Sequence, residues 1–146
     1  MAKPFALQTV LELMQERTDE ATQQLARLIA NERDANSKLE LLQNYRDEYA
    51  ERFRAAAQAG LTPSAWRNYQ EFLNRLDEAV ALQRQTVRVQ MQHTAAGQAN
   101  WQQQRQKLEA FNTLSDRHYA SQEAARHRRE QKTQDEFSAR LKDHTE

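Results

Sequence analysis

No cysteine occurs in the chain, which excludes disulfides, thiol chemistry and zinc held by thiolates. Glycine and proline are scarce, two of each in 146 residues. An all-β chain needs turn residues roughly every ten positions, so that class is excluded. Neither sign of charge dominates, with 21 Lys and Arg against 21 Asp and Glu. A nucleic-acid binder held by phosphate contacts carries a basic excess, and this chain has none. No apolar run approaches the ~20 residues of a membrane span. The start, "MAKPFALQTVLELMQERTDE", meets acidic residues too soon for a signal peptide. A soluble cytoplasmic protein is expected.

Catalytic signatures are missing as well. There is no Gly-rich phosphate loop and no GxSxG motif. His93, His118, His127 and His144 are scattered, with no pair at the i, i+3 or i+4 spacing that holds a metal. Neither enzyme activity, metal nor cofactor is expected.

What remains is mostly helix-forming residues. Hydrophobic residues make up 38%, too few for a layered core but enough to line one stripe of a helix. Steps of four and three from Leu7 land on Leu11, Met14, Thr18, Ala21, Leu25, Leu28, Glu32, Ala35, Leu39, Leu42, Arg46, Tyr49, Phe53 and Ala56. Only Thr18, Glu32 and Arg46 are polar, and they read as register-setting residues whose heads reach the edge. From Trp66 the same steps run through Tyr69, Leu73, Leu76, Val80, Gln83 and Val87 to Trp101, Leu108, Phe111, Ser115 and His118. A stripe held this long at 3.5 residues per turn is a coiled-coil seam, and its glutamines weaken the far part.

The stretch "AAAQAGLTPSAWRNYQEF", residues 55–72, breaks the pattern once. Gly60 suits a helix C-terminus. Thr62 suits an N-cap and Pro63 the first helical turn. The predicted fold is all-α, one domain of two long helices in an antiparallel coiled-coil hairpin. The first helix is placed at about 4–58, the turn at about 59–62 and the second helix at about 63–138, followed by a frayed polar tail. Each arm of ~50 residues would be about 75 Å long. A helix break at Gly97, giving three helices, is disfavoured because the phase runs on through Thr94, Gly97 and Trp101.

Facing residues of an antiparallel pair have position numbers of constant sum. A sum of 122 sets Phe53 against Tyr69, Ala35 against Val87, Leu25 against Gly97 and Ala21 against Trp101. A slip of one heptad is the main competitor. Residues from about 117 overhang the first helix. That overhang carries Arg117, Arg126, Arg128, Arg129 and Lys132, which suits an acidic partner.

Near the turn there is more apolar surface than two seam positions per heptad require. Leu42, Tyr45 and Tyr49 match Ala79, Leu76 and Phe72 along one flank, with position numbers that sum to 121. Such rings can clamp the turn. They can also form a partner-binding patch, since contiguous apolar surface rimmed by charge marks interaction sites. Leu42, Tyr49 and Leu76 border both seam and flank.

"LLQNYRDEY" (41–49), the Gly60 break and "WRNYQEF" (66–72) together resemble the FliJ family of the bacterial flagellar type III export apparatus. The likeness covers essentially the whole chain. It implies a two-helix coiled coil similar to the gamma-subunit stalk of rotary ATP synthases. It further implies a non-enzymatic protein that seats in the hexameric export ATPase FliI, contacts the export gate protein FlhA at the inner membrane and handles export chaperones. The family's gate-binding flank matches Leu42, Tyr45, Tyr49, Phe72, Leu76 and Ala79, while Lys38 and Gln83 depart from the Gln and His of relatives. By analogy with the rotary stalk, Arg117, Arg126, Arg128 and Arg129 would contact the ATPase. The free protein would be a monomer. The alternative is a structural or self-associating coiled-coil module without an ATPase partner.

Overall fold

The computed structural model describes residues 4–145. The fold is an all-α helical hairpin of two helices packed against each other, α1 (Gln8–Ala59) and α2 (Pro63–Thr145). α1 begins later than its apolar residues suggest. Pro4 and Phe5 lie ahead of it, and a turn through Ala6 and Leu7 is closed by the Gln8 amide donating to the Phe5 carbonyl at 3.0 Å. α2 continues past position 138 to Thr145. It also runs unbroken through Gly97, so there is no third helix among the described residues.

The turn is built from the residues that interrupt the seam. Gly60 takes φ +100°, in the left-handed region that costs glycine little. The Thr62 hydroxyl accepts the Ala65 amide at 3.1 Å, an N-cap bond. Pro63 is the first residue of α2, where its missing N–H is no loss.

Packing divides the chain into two compact units, Ala21–Trp101 and Met1–Glu20 with Gln102–Glu146. In the Ala21–Trp101 unit, Ala21, Ala35, Leu76, Val80 and Val87 are buried on the seam. Its polar seam residues donate to main chain on the opposite helix: Gln83 Nε2 to the Ala35 carbonyl at 3.0 Å, and Thr94 Oγ1 to the Leu28 carbonyl at 3.3 Å. Residues 28 and 94 sum to 122, which excludes a heptad slip in this unit. Gln83, read from sequence as a weak seam residue, is a cross-helix clamp. Arg46 lifts its head out of the seam as expected. Its Nε donates to Asp77 at 2.7 Å, and that bond, with the Asp77 charge and a second bond to Asp47, raises the arginine above its ordinary range.

Two seam expectations are corrected here. Trp66 is exposed rather than buried. It stands in the first turn of α2 and lays its ring against Phe53 from the side, with centroids 4.9 Å apart. Beside Gly97 the space is filled mainly by Leu28. A Cβ at position 97 would lie 2.5 Å from Leu28 Cδ1 but 3.8 Å from Leu25 Cδ1.

In the second unit, Phe5, Met14, Thr18 and Ser115 are buried. Thr18 Oγ1 donates to the Met14 and Gln104 carbonyls at 2.8 and 3.3 Å, so positions 18 and 104 again sum to 122. Phe5 packs its ring on His118, with centroids 5.5 Å apart. Burial along α2 fades after Ala125, and residues 126–145 are exposed throughout.

Candidate partner-binding surfaces

Six rings in the Ala21–Trp101 unit interleave from alternate helices into one ladder. Tyr45 meets Phe72 at 6.4 Å, Phe72 meets Tyr49 at 4.5 Å, and Tyr49 meets Tyr69 at 5.4 Å. Tyr69 then meets Phe53 at 5.3 Å, and Phe53 meets Trp66. Each such pair contributes about 0.5–1.5 kcal/mol beyond its burial. The ladder therefore clamps the turn end of the hairpin.

It also leaves apolar surface on one flank. In heptad terms Tyr45, Phe72 and Ala79 occupy the same lateral position of their helices, beside the seam and on the side away from Asp77. Tyr45 is 47% exposed, while Leu42, Tyr49, Phe72 and Ala79 are half-buried. Leu76 is buried, so its part in this flank is support from beneath. The structure thus brings all six predicted flank residues together, at different depths. Outside them stand two leucines with little cover, Leu41 at 69% and Leu82 at 67% exposure. Leu82 was not among the predicted flank residues. Its signal is faint: it sits one step outward from the lateral stripe, where a lone leucine is ordinary.

The four arginines of the other unit do not form one patch. An α-helix turns by about 100° per residue. Arg117 and Arg128 therefore share a face, Arg126 points nearly opposite, and Arg129 lies between. Arg126 is held between Glu123 and Glu130 at 3.9 and 3.8 Å. Arg129 Nε donates to the Ala125 carbonyl one turn back at 3.4 Å. Arg117 and Arg128 make no ion pair among the described residues. A partner approaching one face of α2 would meet Arg117 and Arg128 together and miss Arg126.

Among the described residues no group of three His, Asp or Glu side chains could hold a metal ion. Among the described residues no helix is long and apolar enough to cross a membrane. Both surfaces suit non-covalent docking: exposed rings and leucines on one, unpaired guanidinium groups on the other.

Comparison with known proteins adds sequence-wide evidence. The family model described as "Flagellar FliJ protein" matches residues 3–144. A flagellar FliJ protein of Escherichia coli (strain K12) is 30% identical over 140 residues, covering 96% of this chain and 95% of that protein. A flagellar FliJ protein of Salmonella typhi is likewise 30% identical, with the same coverage.

Proposed function

The chain belongs to the flagellar FliJ family, and on that premise we propose that it works in flagellar protein export as a non-enzymatic coupling stalk. Its seat is the hexameric export ATPase FliI. Its flank of Leu42, Tyr45, Tyr49, Phe72, Leu76 and Ala79 binds the gate protein FlhA. It also handles empty export chaperones, and it works on the cytoplasmic side of the inner membrane without inserting. The observation that carries this reading is the aromatic flank. A ladder that served only to clamp the turn would have no reason to leave Tyr45 47% exposed beside Leu41 and Leu82.

Binding follows from this geometry without covalent chemistry. Rings fixed by their neighbours lose little side-chain freedom on docking, and large aromatic side chains are common anchors of interfaces. Support from the buried Leu76 keeps the surface preformed.

The test is titration of the soluble part of FlhA onto the full chain and onto Tyr45→Ala. The expected result is at least about tenfold weaker binding with an almost unchanged unfolding midpoint. Undiminished affinity would remove Tyr45 from the interface and take the flank reading with it.

A further inference from the structure

The side of the Ala21–Trp101 unit away from the aromatic flank has an apolar strip of its own. Asp77 marks this side, and Arg84 and Met91 follow it along α2 at steps of seven. The matching line of α1 runs through Thr22, whose hydroxyl accepts the Trp101 indole N–H at 2.9 Å, then Ile29 and Asn36. Lines of the same heptad position adjoin along one side of an antiparallel pair. Ile29 and Met91 are therefore nearly level, with position numbers that sum to 120 against the 122 of the seam. Both are exposed, Ile29 at 36% and Met91 at 52%. Ala26 and Ala95, also exposed, continue the strip away from the turn. Side chains this short let another backbone come close.

Toward the turn the strip becomes cationic. Arg33 lies one turn beyond Ile29, and Arg88 one turn before Met91, with position numbers that sum to 121; Arg84 follows. None of the three is in an ion pair among the described residues. Acids are scarce here, although the chain as a whole is neutral. α2 holds none between Glu78 and Glu109. Between Glu20 and Glu40, α1 holds Glu32 and Asp34. Glu32 is a half-buried seam residue. Asp34 stands one heptad before Leu41, on the aromatic side. The strip thus presents three free guanidinium groups against a single carboxylate in the seam beside it. Such a surface is the complement of a helix that is apolar along one half of its docking face and acidic along the other.

We propose that Ile29 and Met91, with Arg33, Arg84 and Arg88 on their turn side, form a docking site for an acidic amphipathic helix of a partner protein, laid lengthwise along the hairpin. The site shares no residue with the aromatic flank or with the arginines at 117–129 and does not depend on what binds there. Ile29 and Met91 supply contact area, and the flexible methionine fits itself to the partner. The cations lie at one end only, so they select an acidic partner and fix its direction.

Two designed helical peptides with the same leucine ridge test this, one edged by glutamates over half its length and the other by lysines at the same places. Each is titrated into the full isotope-labelled chain and followed by amide chemical shifts. The glutamate peptide is expected to move amides of residues 26–36 and 84–95 and to bind at least about tenfold more tightly than its lysine twin. In the double variant Arg33→Glu, Arg88→Glu the preference should invert. Met91→Ser should weaken both peptides while helix content by circular dichroism stays the same. Phe72→Ala and Arg117→Glu should leave the binding undisturbed, which separates this site from the other two surfaces. Equal affinity for the two peptides, shifts centred on Tyr45 and Phe72 or on residues 117–129, or no binding would each overturn the proposal. So would a dimer of the free chain that Met91→Ser dissolves, since the strip would then be covered by a second copy.

Discussion

Tyr49 and Phe72 hold their ring centroids 4.5 Å apart, with planes inclined at 58°, and each ring touches a second ring of the opposite helix. Phe72 therefore serves two ends at once, a link in the ladder and part of the outer surface. Phe72→Ala should destabilise the hairpin by about 1–3 kcal/mol, because it removes two ring contacts and half-buried area. Tyr45→Ala removes one contact of an exposed ring and should cost less than about 1 kcal/mol. Urea unfolding of the two variants checks this. Equal losses would mean that Tyr45 is as structural as Phe72 and is no selective probe of binding.

Gly97 and Leu28 predict a coupled pair. Gly97→Ala gains about 1 kcal/mol of helix propensity, but its Cβ would stand 2.5 Å from Leu28 Cδ1. Leu28 must turn aside, so the net change should be small. With Leu28→Ala already in place the same substitution should stabilise by close to the full propensity. A double-mutant cycle in chemical denaturation reads the difference, and strict additivity would show that the contact does not constrain position 97.

Gln83 holds register more than stability. Gln83→Leu loses one hydrogen bond worth about 1 kcal/mol and gains apolar seam area, so unfolding free energy should stay level or rise. The cross-helix distance distribution between spin labels flanking the site should broaden, because the bond from Gln83 to the Ala35 carbonyl no longer selects one register. A distribution as narrow as that of the parent would assign register to other residues.

Within the stalk reading, the arginines should separate by face. Arg117→Glu and Arg128→Glu should lower both binding to the export ATPase and stimulation of its turnover. Arg126→Glu should do so far less, since that guanidinium already lies between Glu123 and Glu130. Exposed pairs of this kind contribute about 0–1 kcal/mol, so all three variants should fold. An Arg126→Glu defect as large as that of Arg117→Glu would contradict the shared face.

Leu41 and Leu82 bear on the competing reading, a self-associating module. Sedimentation at micromolar concentration should show a monomer. A dimer dissolved by Leu41→Gln or Leu82→Gln would instead put a second copy on the flank.

The seam was the most legible feature of the chain. Every position from Leu11 to Ala56 and from Tyr69 to His118 taken from the four-three steps is buried or half-buried. Apolar periodicity reports burial directly, so this agreement follows from the physics that wrote the pattern. The register was legible from side-chain volumes, as Ala21 against Trp101 suggests. The roles of Gln83, Thr94 and Thr18 were not, because each bonds to a carbonyl, which every residue type possesses. The flank residues could be named from their surplus over a two-stranded seam, but their depth could not, and Leu76 proves buried where Tyr45 is exposed. The split of the arginines was available from helix geometry and was hidden by their closeness in sequence.

The bonds from Thr18, Gln83 and Thr94 to opposite main chain have an evolutionary corollary. A clamp made of two side chains ties two codons together, and either can break it. Here the accepting half belongs to the backbone, so a change of side chain at position 104, 35 or 28 leaves the acceptor itself in place. For these three bonds the constraint falls on the donors alone, while the rest of the seam is constrained by the volume it must fill.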